Sequence, residues 1–349
     1  MSELDKMLAN LNKQYGKPVI NQANKIIYPS IQRLSTRSVS LNCELGGGIP
    51  FGRITMIVAN ESAGKTTLVL HMIAEAQAQE KRVVFIDAEG TFDCEWAKLI
   101  GVNLDKLTIA IPDNGEQAID ILETVVRSNE CGLVVLDSVA SLMPKAELDI
   151  SMEESPEKLG NKAQLLNRAV RRLTSALNEI NEMGERNKTA IVLLNQFREK
   201  IGIAYGNPET VCGGKGIKFA SSIILELRKG EWIEEEKNGE KIKIGQQIKF
   251  KTSKNKTFSP LRTGSTYLFF DGTNKGKLDI AQEIYNYSKL LGLIKIEGQM
   301  AYIDDKKLRG QDNAIQYLRD NIKTQKKLEK EIYRMYLKID KKEEIDASK

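Results

Sequence analysis

The chain has 349 residues, 41% of them apolar and 28% charged, with 52 Lys and Arg against 47 Asp and Glu for a net charge of +5. That is material for about two domains with buried cores, and it excludes a disordered or fibrous chain. The positive surplus is too small to establish a polyanionic partner by itself, so the placement of the charges has to decide that question.

In chain order, Leu4, Met7, Leu8, Leu11 and Tyr15 recur at three- and four-residue steps and predict a helix with one apolar face. Gly16-Lys17-Pro18 ends it. A helix this short needs a partner surface, either its own core or a neighbouring subunit. From about residue 36 to 270, short Val/Ile-rich runs at 54–58, 83–87, 133–137, 190–195 and 222–227 alternate with helical stretches near 66–79, 116–127 and 160–183. Near-continuous apolar runs suit strands buried on both faces, and their alternation with helices predicts an α/β fold, a mostly parallel sheet flanked by helices. Strands near 244–252 and 266–270 extend the sheet by hairpins. A turn-rich break at 271–276 opens a small C-terminal α/β domain with an amphipathic helix (Ile280, Ile284, Tyr287, Leu290, Leu291), a β piece at 299–303 and a further helix. The expected organisation is therefore an N-terminal helix and linker (1–35), a core (36–270), a small domain (271–335) and a charged tail (336–349).

No apolar run approaches the ~18 residues of a membrane span. The start MSELDKMLAN has no apolar signal core, so a cytoplasmic location is expected. Cys43, Cys94, Cys131 and Cys212 show no C-x-x-C spacing and read as reduced structural thiols. The single histidine, His71, argues against a zinc site or a histidine triad and reads as a packed or surface residue in a helix.

The strongest chemical signal is Ala59-Asn60-Glu61-Ser62-Ala63-Gly64-Lys65-Thr66-Thr67, between a strand and a helix as a phosphate-binding loop requires. Amides of Asn60, Glu61, Ser62, Ala63, Gly64, Lys65, Thr66 and Thr67 would face the phosphates. Lys65 would neutralise the β- and γ-phosphates and Thr66 would ligate Mg²⁺. The loop pattern begins with Gly, and Ala59 in its place costs on the order of 1 kcal/mol if the position needs φ > 0. Asp137 closes an apolar strand, where a carboxylate is costly unless paired; a Mg²⁺ shared with Thr66 would pair it, a helix N-cap being the alternative. In 83–89, Asp87 and Glu89 close another strand. Glu89 is placed to polarise a water for attack on a γ-phosphate, an ordinary surface carboxylate being the alternative.

These signals and their flanks resemble the bacterial RecA recombinase family. ESAGKTT, FIDAEGTFD, LVVLDSVASLMPKAEL, LLNQFREKIGIAYGNPETVCGGKGIKF and KNKTFSP carry the resemblance, which spans about residues 3–330. It implies a RecA-type P-loop ATPase core using ATP and Mg²⁺, and a helical homo-oligomer on single-stranded DNA that pairs it with double-stranded DNA, without membrane attachment. By the same resemblance Glu89 activates the attacking water, and Asp93 and Trp96 contact the adenine, Trp96 standing where the family usually has tyrosine. Gln196 senses the γ-phosphate, and Lys254 and Lys256 reach into the neighbouring subunit's ATP site. Met143, Pro144 and Lys145 begin the first DNA-binding loop. The second runs from about Arg198 to Gly216 and contributes Arg198, Lys200, Tyr205, Gly213, Gly214 and Lys215. The helix over residues 3–15 then packs on the adjacent subunit.

The residues themselves agree on several points. The stretch after Gln196 sets Arg198, Lys200, Lys215 and Lys218 among five glycines, which suits a mobile loop on a phosphate backbone, with Tyr205 able to stack on bases. Seven cations and no acids fall between Lys241 and Arg262. Against these, Asp149, Glu153, Glu154 and Glu157 make the first loop acidic, which repels a phosphate backbone, and the family's acidic tail is missing. A ring-forming DNA helicase with the same core, and a single-strand-coating protein that does not hydrolyse nucleotide, are the alternative readings.

Overall fold

The computed structural model describes residues 2–15, 31–148, 161–179, 186–199, 209–237 and 239–337. The chain divides into two compact units, residues 1–32 and 33–349. The first contains α1 (Glu3–Gln14). Ser2 Oγ accepts the Asp5 N–H at 3.2 Å while the Asp5 carboxylate accepts the Ser2 N–H at 2.8 Å. This reciprocal cap satisfies two amides that a helix start leaves unpaired. Glu3 and Asp5 in the first turn and Lys13 in the last oppose the helix dipole. The expected apolar stripe is present and exposed: Leu4 is 62% and Met7 59% accessible.

In the second unit, β1 (Arg33–Leu34) pairs with β2 (Ile49–Pro50) around α2 (Val39–Leu45). Strands and helices then alternate through β3 (Ile54–Ala59), α3 (Lys65–Ala78), β4 (Arg82–Asp87), α4 (Cys94–Ile100), β5 (Leu107–Ala110), α5 (Gly115–Ser128) and β6 (Cys131–Asp137). After the four-residue α6 (Lys145–Leu148) come α7 (Asn161–Asn178), β7 (Ala190–Glu199), β8 (Glu209–Val211), α8 (Gly214–Ala220), β9 (Ile223–Lys237), β10 (Glu240–Asn255) and β11 (Thr263–Phe269). The sheet order is β11-β10-β9-β3-β7-β6-β4-β5, with β8 paired to β7. From β9 to β5 the neighbours are parallel; β10, β11 and β8 are antiparallel to theirs. This is the expected α/β class.

Successive strand residues face opposite sides of the sheet. Ile57 and Ala59 of β3 and Val192 and Leu194 of β7 join a cluster with Leu41, Leu68 and Ala97 on one side. Met56, Val58, Ile191 and Leu193 join Ile119, Leu173 and Ile217 on the other. Each fully buried aliphatic side chain of this kind contributes about 1.5–3 kcal/mol, so the two-sided core holds the strand ends in register.

All five expected buried strands form. The run expected over 222–227 continues to Lys237 and pairs with a strand spanning Glu240–Asn255. Its outer part carries charged residues such as Glu234, Glu235 and Lys241 on an exposed ribbon, so no apolar pattern marks it. The four-residue edge strand β5 and the seven-residue helices α2, α4 and α8 are too short for periodicity to show.

After β11, α9 (Ile280–Leu290), β12 (Lys295–Glu297), β13 (Met300–Ile303), β14 (Lys306–Arg309), α10 (Gln311–Asp320) and α11 (Ile322–Tyr336) build a three-stranded antiparallel sheet with three helices. Their apolar cluster includes Val39 and Cys43 of α2. Two buried carboxylates tie them to α2. Glu283 accepts the Ser38 hydroxyl at 2.8 Å, the Ser40 N–H at 2.9 Å and the Thr266 hydroxyl at 2.5 Å. Glu44 accepts the hydroxyls of Tyr287 at 2.7 Å and Tyr336 at 2.6 Å. Burial pushes the Glu283 carboxyl up to about 7 against these donors.

His71 is 3% exposed on α3, and neither ring nitrogen has a hydrogen-bond partner. Burial holds its pKa down at about 3, against an ordinary 6.5. A pKa lower in the folded than in the unfolded chain means that this stability is complete above about pH 6.5 and is lost as pH falls. In chemical denaturation, the wild type should therefore lose stability relative to His71→Met by up to about 1.4 kcal/mol per pH unit below 6.5. Parallel curves for the two proteins between pH 7.5 and 5.5 would contradict this.

Candidate functional site

Strand β3 ends at Ala59, the chain turns through residues 60–64, and α3 begins at Lys65. Ala59 is fully buried and is not among the residues with positive φ, so it continues the strand and carries none of the strain that a glycine would relieve. The left-handed conformations fall instead on Ser62 (φ 54°) and Gly64 (φ 80°). The left-handed φ favours glycine at 64, and a Cβ there would also have to displace the Ile248 Cδ1 methyl, 2.6 Å away. The loop wraps the start of α3, whose free amides and dipole favour an anion.

The Lys65 ammonium donates to the Asn60 carbonyl at 3.2 Å. Burial lowers its pKa, while the carboxylates of Asp137, Glu89 and Glu61 act in the opposite sense. Thr66 Oγ1 donates to Asp137 Oδ2 at 2.9 Å. Asp137 is 2% exposed, and burial raises its pKa to about 6 even though the Thr66 hydrogen bond lowers it. A buried carboxylate so short of positive charge, beside a hydroxyl on a phosphate loop, fits a divalent cation. Mg²⁺ is commonly held by one or two protein oxygens together with water and phosphate oxygens. Among the described residues, no group of three or more His, Cys, Asp or Glu could hold a metal without such help.

The two carboxylates of 83–89 separate in role. Asp87 accepts the N–H groups of Gly90, Thr91 and Phe92 at 2.8, 3.3 and 3.0 Å and shapes the loop. The Ala88 and Glu89 amides bond the Asp137 carbonyl at 2.7 and 3.2 Å, which swings the Glu89 side chain toward the turn after β6. There Glu89 Oε1 accepts Ser138 Oγ at 2.5 Å and Ser141 Oγ at 3.4 Å. Gln196 Nε2, on β7, reaches the same oxygen at 3.5 Å. The fold thus gathers Lys65, Thr66, Asp137, Glu89 and Gln196 at the carboxyl ends of neighbouring strands, where open α/β sheets bind ligands.

Trp96 Nε1 donates to Thr67 Oγ1 at 3.1 Å, setting the indole beside the loop. Asp93 caps α4, its Oδ1 accepting the Trp96 N–H at 2.9 Å; its contact here is with the helix that carries Trp96. Lys254 and Lys256 do not join this cluster. Lys254 Nζ donates to the carbonyls of Lys218 and Phe219 at 2.6 and 2.9 Å, and Lys256 Nζ to Phe219 at 3.4 Å, at the end of α8.

The single long loop expected over 198–216 is corrected at both ends. Arg198 lies on β7 and pairs with Thr210 of β8. Gly213 (φ 94°) is the N-cap of α8 and Gly214 (φ 73°) its first residue, so Gly213, Gly214 and Lys215 start a helix. The glycines serve a left-handed cap and close approach: a Cβ on Gly213 would meet Leu166 Cδ1 at 2.7 Å. Lys200 and Tyr205, like the acids Asp149, Glu153, Glu154 and Glu157, lie outside the described residues. Met143 is 47% exposed, Pro144 buried, and Lys145 exposed at the start of α6.

Three contacts had no sequence signal. Asn195 Nδ2 donates to the Cys212 carbonyl at 2.9 Å, and its Oδ1 accepts the Gln196 N–H at 2.8 Å, linking the end of β7 to the turn before α8. Arg228 pairs with both carboxylate oxygens of Glu209 and covers the Phe197 ring, fastening β8 to β9. The hydroxyls of Ser138 and Ser141 meet Glu89.

The family model described as the RecA N-terminal domain matches residues 2–274. The chain belongs to the RecA family. Relatives named Protein RecA match along nearly its whole length. That of Oceanobacillus iheyensis is 36% identical over 98% of this chain and 94% of its own. That of Acholeplasma laidlawii is 38% identical over 97% of both chains, and that of Bacillus licheniformis 38% over 91% of this chain and 87% of its own. The RecA N-terminal match takes in α1, the whole large sheet and the phosphate cluster. No helix among the described residues is long and apolar enough to cross a membrane.

If this loop holds a nucleotide with Lys65 toward its β- and γ-phosphates, replacing Lys65 by Ala should abolish turnover. Turnover near the wild-type rate in a phosphate-release assay would contradict the assignment of the loop.

Proposed function

We propose that this RecA-family recombinase is a DNA-dependent ATPase that polymerises on single-stranded DNA and promotes homologous pairing and strand exchange in recombination and repair. The observation that carries the reading is the cluster of Lys65, Thr66, Asp137, Glu89 and Gln196 at one strand-end edge, joined through Asn195 and Cys212 to the glycine cap of α8.

In this reading the loop amides and Lys65 bind the phosphates of ATP, and Thr66 with Asp137 holds Mg²⁺. When bound, Mg²⁺ would supply positive charge to screen the β- and γ-phosphates. Glu89 takes a proton from the water whose oxygen attacks the γ-phosphorus, while the bond from that phosphorus to the β-bridging oxygen breaks and ADP leaves. Trp96 offers a flat surface to the adenine, with Asp93 beside it. Gln196 exchanges its Glu89 contact for the γ-phosphate, and the strain passes along β7 to α8 and the segment before it. Arg198, Lys200, Tyr205, Lys215 and the Met143–Pro144–Lys145 turn face DNA, reading backbone and stacked bases with little sequence preference.

The exposed stripe of α1 packs on an adjacent protomer, and Lys254 and Lys256 leave the α8 carbonyls to meet the γ-phosphate held by that neighbour. Two ammonium groups contributed across a seam make hydrolysis dependent on assembly. Glu89 beside Lys65 favours a working hydrolase over a passive coating protein.

A strand-exchange assay with a nucleotide series tests the reading: joint molecules should form with ATP and fail with ADP. Glu89→Gln should keep ATP and DNA binding and lose about 10²–10⁴-fold in hydrolysis. Mixing Lys254→Ala with Lys65→Ala protein should restore part of the turnover that neither has alone, because one intact loop then meets one intact lysine pair. Absence of any complementation would place Lys254 in its own subunit's site or remove it from catalysis.

A further inference from the structure

The surroundings of Glu89 carry one step beyond its reading as the base, and rest on that reading. Ser138 is fully buried in the turn after β6. Its Oγ lies 2.5 Å from Glu89 Oε1 and 3.0 Å from Ser141 Oγ. Ser141 is in turn fixed by its own backbone neighbour: its Oγ accepts the Ser138 N–H at 3.3 Å and lies 3.1 Å from the Ser138 carbonyl. It also stands 3.4 Å from Glu89 Oε1. A serine hydroxyl has one proton to donate. At the short distance Ser138 gives its proton to the carboxylate, so any hydrogen bond between the two serines runs from Ser141 to Ser138.

All three contacts to the Glu89 carboxylate, from Ser138, Ser141 and Gln196 at 3.5 Å, fall on Oε1. Among the described residues no donor reaches Oε2 of Glu89. One carboxylate oxygen is therefore anchored and the other is available as a proton acceptor. Of the three anchors, Gln196 is the one that departs when it turns to a γ-phosphate; the serines belong to a tight turn stapled by its own hydrogen bonds and remain.

We propose that Ser138 and Ser141 are positioning residues for the hydrolytic step, Ser138 pinning Oε1 and Ser141 orienting the Ser138 hydroxyl, so that Oε2 meets the attacking water and Glu89 stays in place after Gln196 leaves it. The turn they form runs directly into Met143-Pro144-Lys145, so the same hydroxyls connect the root of the first DNA-facing segment to the base.

Steady-state ATP hydrolysis on single-stranded DNA, with Glu89→Gln measured alongside, tests this. A misplacement of about 1 Å can cost on the order of 100-fold in rate, so Ser138→Ala should lose at least about tenfold in kcat while KM for ATP stays within about twofold. Ser141→Ala should show a smaller loss, about threefold, and Ser141→Thr, which keeps the hydroxyl, should restore the wild-type kcat. Ser141 is only half-buried, so its pair of variants reports even if Ser138→Ala folds poorly. Wild-type kcat in both alanine variants beside an inactive Glu89→Gln would overturn the positioning role and leave the base intact. Full turnover by Glu89→Gln would remove the base, and the positioning role with it. Equal loss of kcat and of ATP affinity in the serine variants, or a Ser141→Thr as slow as Ser141→Ala, would also overturn the proposal.

Discussion

The arrangement depends on a carboxylate buried at the end of a strand. Asp137 terminates β6 between two parallel neighbours, 2% exposed, where an unpaired charge is expensive. Its side chain takes the Thr66 hydroxyl from the phosphate loop, and its backbone carbonyl takes the amides of Ala88 and Glu89. One residue thus ties three segments together: the loop before α3, the loop that carries Glu89, and the turn after β6. The same burial that makes Asp137 costly creates a demand for a cation, and a Mg²⁺–nucleotide would meet it.

Around this node, rigidity and adaptability are divided by backbone chemistry. The central strands are packed on both faces and cannot shift without disturbing two apolar clusters. The segments that would respond to ligand are held by polar contacts that can be exchanged: Gln196 on Glu89, Asn195 on the Cys212 carbonyl, Lys254 on the carbonyls closing α8. A hydrogen bond to a carbonyl can be traded for one to a phosphate oxygen at modest net cost. The elements after β11 stand on the opposite principle, locked to α2 by Glu283 and Glu44 through hydrogen bonds to the buried Ser38, Ser40, Thr266 and Tyr287 and to the half-buried Tyr336.

Much of the core was legible in the sequence because burial on both faces writes unbroken Val/Ile runs, and because a phosphate loop demands a local pattern of small residues, Lys and Thr. Ala59 shows the limit of pattern reading: the structure keeps it in the strand and moves the left-handed residues to Ser62 and Gly64. Gly213-Gly214 reads as a loop in isolation, yet serves as a helix start crowded by Leu166. Asp93, which the resemblance places at the adenine, also caps the helix that carries Trp96, a role its spacing did not announce. Ser138, Ser141 and Asn195 left no trace in periodicity, since their importance comes from strand ends brought together across the sheet. Such juxtaposition follows from topology, which short spacings do not encode.

The central claim is that the γ-phosphate, sensed beside Asp137, sets how firmly the protein holds a polynucleotide. Fluorescence anisotropy of labelled single-stranded oligonucleotide, titrated in parallel with a non-hydrolysable ATP analogue and with ADP at fixed salt, measures it directly. The account predicts tight, cooperative binding with the triphosphate analogue and markedly weaker binding with ADP; equal affinity in the two nucleotide states would contradict it.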